Sequence, residues 1–206
     1  VFGRVIANLD RAGLRENTLV LFYADNGTPP GLKSQQNGRT IPGGKGYTTD
    51  YGMHVPLMAQ WQGKTRAGTL CRDLIDSTDF LPTTCELTGA KWFDGLPLDG
   101  RSFLPQIAGR KGKPRQWAFS HWDPHPGCKQ PFTPTRLTWN HRWKLYLDGR
   151  LYNWERDPDE ASPVPADSPD AEARAARKLL QSGLDQMGKI KPPVFNKFET
   201  DGRAAY

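Results

Sequence analysis

Two hydrophobic periods organise the first ninety residues. Val5, Ile6, Leu9 and Ala12 recur at helical spacing, and Gly13 offers a stop. Leu14 and the short polar link Arg15-Glu16-Asn17 then lead into Thr18–Ala24, a run of apolar, β-branched and aromatic residues that predicts a buried strand. Helix, tight link and strand together predict an αβ unit of a sheet with helices on its faces. Residues 27–46 are rich in Gly, Pro, Gln and Asn with almost no periodicity, and a connection of that length inside a compact domain is usually functional or mobile. After a turn at Tyr47–Gly52, His54–Trp61 predicts another strand with Pro56 near its entry.

Ser77-Thr78-Asp79 opens an amphipathic helix carrying Phe80, Leu81, Cys85 and Leu87, with Pro82 in its first turn and Gly89 as its stop. A short helical stretch runs through Leu104 and Ile107. Arg110–Arg115 is a basic linker with Gly and Pro. Trp117–Trp122 predicts a strand, and Trp139–Leu147 with Arg150–Trp154 predict an antiparallel pair around the Asp148-Gly149 turn. A Pro/Ser/Asp linker at 161–169 precedes a helix at Ala171–Met187 with an apolar face at Ala176, Leu179, Leu180 and Leu184. The fold class expected is α/β: a partial mixed sheet flanked by helices, then a small α+β part with an antiparallel sheet. The divisions fall at 1–110, 111–160 and 161–206.

Composition narrows the function classes. The 206 residues include 18 Pro and 21 Gly, which suits a loop-rich protein with a sizeable core. A net charge of +6 favours an anionic substrate, but the basic residues are scattered and no recognition motif accompanies them, so no nucleic-acid partner is expected. No apolar run approaches the ~18 residues of a membrane span. Cys71, Cys85 and Cys128 match no metal or redox spacing; Cys85 reads as a small buried hydrophobe, and Cys71 with Cys128 are candidates for pairing. The chain opens on Val1 inside a helical pattern with no initiator Met, so the lack of a signal peptide carries no information about localisation.

Candidate chemistry gathers where the first strand ends. Asp25 and Asn26 are two hard oxygen donors sharing one negative charge, a pair suited to Ca2+ or Mg2+; Asp-Asn-Gly is equally a common turn. Gly43-Gly44-Lys45-Gly46 places one ammonium among three glycines, either to approach a ligand closely or as a solvated lysine in a flexible turn. It lacks the spacing of a Walker A loop.

Six segments in order, "NTLVLFYADNG", "GGKG", "YGMHVPLMAQW", "STDFLPTTCELTGA", "LDGRSFLPQIAG" and "RWKLYLDGRLYNWERDPDE", resemble the C-terminal portion of a type I sulfatase of the alkaline-phosphatase-like superfamily. The resemblance covers most of residues 1 to about 160. It implies that Asp25 and Asn26 are two ligands of one divalent ion, usually Ca2+. It also implies that Lys45 contacts the sulfate ester as a catalytic and substrate-binding group. Both roles suit the chemistry, because a hard cation and an ammonium aimed at sulfate oxygens stabilise charge as the ester breaks. His121 is a weaker candidate for lining the substrate cleft. His54 falls where the family pattern has Arg before Val-Pro, and reads as a packing residue.

The family nucleophile is a formylglycine made from Cys or Ser, followed by Pro or Ala two residues on and by Arg two further. None of the three cysteines has that context. The chain therefore reads as the second half of an enzyme, inactive without the first, and the resemblance implies a periplasmic or secreted parent acting on a sulfate ester, plausibly a sulfated carbohydrate. Two alternatives stand beside it. One is a phosphatase or phosphodiesterase of the same superfamily, against which Asn26 stands where zinc-binding relatives carry His. The other is a non-catalytic sulfated-glycan-binding module using Trp117, Trp122, Trp139, Trp143 and Trp154. Core filling is the plainer account of those tryptophans.

Overall fold

The computed structural model describes residues 2–92, 97–123 and 134–189. In chain order the elements are α1 (Phe2–Arg11), β1 (Leu19–Tyr23), β2 (Lys33–Gln36), β3 (Arg39–Pro42), α2 (Asp50–Met53), β4 (Leu57–Trp61), α3 (Phe80–Thr88), α4 (Leu104–Ile107), β5 (Ala118–Trp122), β6 (Thr135–Trp139), β7 (Lys144–Tyr146), β8 (Leu151–Tyr152) and α5 (Ala171–Gly188). The arrangement is mixed α/β, divided into two compact units. One comprises Val1–Asp25 and Val55–Arg115, the other Asn26–His54 and Gln116–Tyr206.

In the first unit β1 and β4 pair antiparallel, from Leu19 opposite Trp61 to Tyr23 opposite Leu57. Pro56 stands just before β4, where its missing N–H costs nothing and its carbonyl still accepts from Ala24 N. The link between α1 and β1 is fixed to β4: the Trp61 indole donates to Glu16 O at 2.9 Å, and buried Arg15 reaches Gln60 and, at 3.4 Å, Asp10. Sequence patterning predicts a buried strand here, yet Phe22 is 39% exposed, Tyr23 40% and Met58 58%. Among the described residues β1 has one strand neighbour, and its aromatic end is covered only in part, by Phe2 edge-on to Phe22 and Phe80 against Tyr23.

Asp79 ties the rest of this unit together. With Asp76 it forms a capping box around a single 3₁₀ turn at Ser77–Asp79 that opens α3. Its buried carboxylate also accepts from Arg101 N at 2.7 Å and from the Arg115 guanidinium through both oxygens. Thr83, one turn further, accepts from Phe103 N at 3.0 Å. The Leu98–Phe103 segment is thereby laced to the start of α3, so closely that a Cβ on Gly100 would lie 1.9 Å from Thr78 O. Cys85 on α3 is half-buried rather than buried, and Cys71 is exposed; Cys128, its candidate partner, lies outside the described residues.

The second unit is built on a four-stranded antiparallel meander, β5-β6-β7-β8. Among the described residues, the β6–β7 turn is made by Asn140, whose side chain accepts from Arg142 N and Trp143 N, and the β7–β8 turn by Asp148-Gly149. On one face α5 lays Ala173, Ala176, Leu180 and Leu184 against Trp143, Leu145 and Leu151. Gly183 lets the helix sit close, since a Cβ there would be 2.8 Å from the Trp117 ring, and Thr138 donates to Leu180 O at 2.9 Å. The opposite face presents Leu137, Tyr146 and Tyr152, packed with Met53, Trp122 and Trp139. Trp154 donates its indole N–H to Asn140 O. Trp117, Trp122, Trp139 and Trp143 thus pack in or against the two cores of this unit.

Within the apparently aperiodic stretch at 27–46, β2 and β3 form a hairpin, with Lys33 opposite Pro42 and Gln36 opposite Arg39. Asn37 and Gly38 turn it at φ of +50° and +78°. Positive φ at both central residues is the type I′ requirement that Asn-Gly meets with least strain. Tyr47–Gly52, read as a turn, closes into the single helical turn α2, from which Asp50 Oδ1 meets His54 Nδ1 at 3.1 Å.

Two outcomes follow from this packing. Asp79→Ala leaves a buried guanidinium without its carboxylate, so it should destabilise the chain by about 3–5 kcal/mol in denaturant unfolding. Asp148→Ala, which breaks an exposed pair, should cost under ~1 kcal/mol. The hydrogen bond to Asp50 also raises the His54 pKa above its ordinary value, against a smaller opposing effect of burial. A raised folded-state pKa makes the pair's contribution present below about pH 6.5 and lost as pH rises through the raised value. Ring-proton NMR should show His54 titrating above that value in the native chain and returning toward it in Asp50→Asn.

Candidate functional site

Three backbone segments of the second unit meet beside Asn26. Gly27 N donates to Gly52 O at 3.0 Å, Lys45 N to Thr28 O at 2.9 Å, and Gly43 N to Leu32 O at 2.9 Å. The contacts are too close for side chains. A Cβ on Gly27 would lie 1.9 Å from Tyr51 O, one on Gly43 2.0 Å from Pro29 O, and one on Gly44 2.4 Å from the Tyr51 carbonyl carbon. The glycines flanking the lysine thus let one stretch of backbone lie on another. Gly46, at φ +90°, then turns the chain back.

This junction fixes where Lys45 starts. Its backbone hydrogen-bonds two residues beyond Asn26, while its side chain is exposed and has no hydrogen bond or ion pair among the described residues. Asn26 is half-buried, and its amide likewise has no side-chain hydrogen bond there. Asp25 is joined to Asn26 by a peptide bond and ends the first unit, exposed just after β1. Burial first, then the carboxylates of Asp76 and Asp25, push the Tyr23 hydroxyl up. That phenol therefore stays neutral beside two anions.

By donor chemistry Asp25 and Asn26 suit a hard divalent cation as a partial ligand set: two oxygens and one charge, with no side-chain hydrogen bond to either among the described residues. Ca2+ takes six to eight oxygens, so further ligands are required. Among the described residues there is no group of three or more His, Cys, Asp and Glu side chains placed to hold a metal. His121 lies elsewhere in the unit, on β5, opposite Arg136 in register. Its Nδ1 accepts from Arg136 Nε at 3.2 Å, and its Nε2 is 3.9 Å from Asp123. No hydrogen bond or ring contact among the described residues links it to Asn26 or Lys45.

Sequence reading misses the groups that hold the loop after Lys45. Lys144 Nζ donates to Thr48 O and, at 2.6 Å, to Glu160 Oε1. Tyr146 donates to Glu160 Oε2 at 2.5 Å and shares a 2.8 Å hydrogen bond with Thr48 Oγ1. The available signal is the alternation of β7, where Lys144 and Tyr146 share a face and flank Leu145 on the α5 side.

The sulfatase family model matches residues 1–90. Over 132 residues the chain is 34% identical to an uncharacterized sulfatase, YdeN, of Escherichia coli K12, an alignment covering 58% of this chain and 22% of that protein. It is 35% identical to human arylsulfatase A over 119 residues, or 57% of this chain and 23% of the relative. The solved structure of BT4656 in complex with its substrate D-glucosamine-2-N,6-O-disulfate superposes with a TM-score of 0.73 at 18% identity, over 92% of this chain and 38% of that one. The chain thus spans less than a quarter of the two relatives' length and under two fifths of the structure's. By family model over residues 1–90, by sequence and by fold, the chain is similar to part of a sulfatase.

Proposed function

We propose that this chain is part of a sulfuric ester hydrolase, in which Asp25 and Asn26 ligate one Ca2+ and Lys45 binds the sulfate group. The observation that carries the reading is the backbone junction of Gly43–Gly46 on Asn26–Pro29, which roots an uncommitted ammonium within two residues of the Asn26 amide oxygen's own backbone. A Ca2+ bound there would supply positive charge to the non-bridging oxygens of the ester. Lys45 would donate hydrogen bonds to the same oxygens, and Asp25 with Asn26 would supply two of the ion's ligands. These fixed charges act most strongly where the transition state gathers negative charge.

The nucleophile comes from outside these residues. No cysteine here has the Cys-x-Pro/Ala-x-Arg context, so a formylglycine would be contributed by the rest of the parent protein and the isolated chain is inactive. The substrate class we favour is a sulfated carbohydrate, on the basic balance of the chain and on the sulfated sugar bound by the structural relative. The periplasm or cell exterior, where such polymers lie, is the corresponding location. Asn26 argues against the zinc-dependent phosphoesterases of the superfamily, because zinc seldom selects an amide oxygen. Against a sugar-stacking module stands the packing of Trp117, Trp122, Trp139 and Trp143 in or against the two cores of the second unit.

Two measurements on the full-length parent test this. Lys45→Ala should lower kcat/KM on an aryl or carbohydrate sulfate by about 10²–10³-fold, the usual cost of one oxyanion donor, with unfolding unchanged. Unaltered turnover would overturn the assignment. Chelation of Ca2+ should abolish activity, and Ca2+ rather than Zn2+ should restore it; two zinc ions per chain, with phosphodiester but no sulfate ester turnover, would replace the reading.

A further inference from the structure

We infer that Lys144, Tyr146 and Glu160 form a positioning device that sets the placement of Lys45 from beneath its loop. This rests on the sulfate-binding role proposed for Lys45. The geometry is a closed circuit of hydrogen bonds. Glu160 receives Lys144 on one oxygen and Tyr146 on the other, and both donors also hold Thr48, through its carbonyl and its hydroxyl. Thr48 lies three residues beyond Lys45, across the turn closed by Tyr47 N on Gly44 O. Backbone placement at Thr48 is thus passed along one tight turn to Lys45.

The anchor is stiff at its far end. Glu160 has φ +55°, a left-handed conformation uncommon outside glycine. The surrounding Asp157–Ser162 loop holds it there: Glu160 N donates to Asp157 O, and the Asp157 carboxylate accepts from Ala161 N and Ser162 N. Asp159, the residue before Glu160, acts on Tyr51 and, after burial, pushes that hydroxyl up. Tyr51 is the residue whose backbone leaves no room for a Cβ on Gly27 or Gly44. The same loop therefore touches the lysine segment at two points.

Burial makes this a device rather than a strut. The Lys144 and Glu160 side chains are 2% and 7% exposed. A buried ion pair is seldom more stabilising than apolar residues of the same volume, and its best-attested advantage is fixed geometry. Burial lowers the Lys144 pKa against the opposing pull of Glu160 and Asp50, and pushes the Tyr146 hydroxyl far up, so the phenol remains a donor to Glu160 across neutral pH.

The test combines kinetics in the full-length enzyme with hydrogen exchange. Glu160→Gln keeps the volume and removes the charge; Tyr146→Phe removes only the two hydroxyl bonds and serves if the first fails to fold. Either should lower kcat/KM on a sulfate ester by about tenfold or more, but by less than about twofold in a Lys45→Ala background, since a residue that acts through Lys45 has nothing left to act on. The Lys45 amide should exchange faster in the variants than amides of β6 and β7 do. Equal kinetic losses in both backgrounds, or an unchanged Lys45 amide, would overturn the inference. A parent protein with no sulfatase activity would instead defeat the catalytic reading, while the exchange of the Lys45 amide would still report whether Glu160 holds the loop.

Discussion

The second unit depends on a place where side chains do not fit. Backbone from Asn26–Pro29, Gly43–Gly46 and Tyr51–Gly52 lies in direct contact, and Gly27, Gly43, Gly44 and Gly52 each have a carbonyl or α-carbon where a Cβ would go. Such close approach is available only to glycine, and the hydrogen bonds that cross it leave little freedom for the lysine between. The result is an exposed ammonium on a closely packed, hydrogen-bonded backbone. In such an arrangement the cost of ordering the backbone is met in folding, and only the side chain is left to order.

The antiparallel sheet supports this from the side opposite α5. Its helix face is apolar and closed by the Gly183–Trp117 contact, as an ordinary core would be. Its other face mixes Leu137 and Tyr152 with a lysine, a tyrosine and a glutamate. One sheet thus carries a core on one side and a polar platform on the other. The period-2 alternation of β7 is what separates the two.

The elements with strong periodicity were legible in the sequence. The helices at Phe2–Arg11, Phe80–Thr88 and Ala171–Gly188, and the strands at Leu19–Tyr23, Leu57–Trp61 and Ala118–Trp122, lie where the spacing puts them. The Asn37-Gly38 hairpin leaves little trace in the sequence because its strands are short and exposed, with no apolar alternation to mark them, although the dipeptide itself is a turn signal. The half-exposed β1 carries the pattern of a buried strand because an unbroken apolar run says that a strand is fit to be covered, not what covers it. At the site, Asp25, Asn26 and Lys45 stood out through residue type and order. Lys144, Glu160 and Thr48 did not, because Lys144 lies 96 residues from Thr48, and a contact at that distance along the chain leaves no local pattern.

The hairpin of β2 and β3 is sealed at its base by Gly43 N on Leu32 O, while its tip stands in solvent. A loop closed in this way separates its two ends mechanically from its apex. Residues added or exchanged at Asn37-Gly38 lengthen the finger without displacing the ledge on which Lys45 rests. That makes the apex the natural position for grafted sequence, a fluorophore or an affinity handle in a protein whose neighbouring glycines tolerate nothing larger than hydrogen.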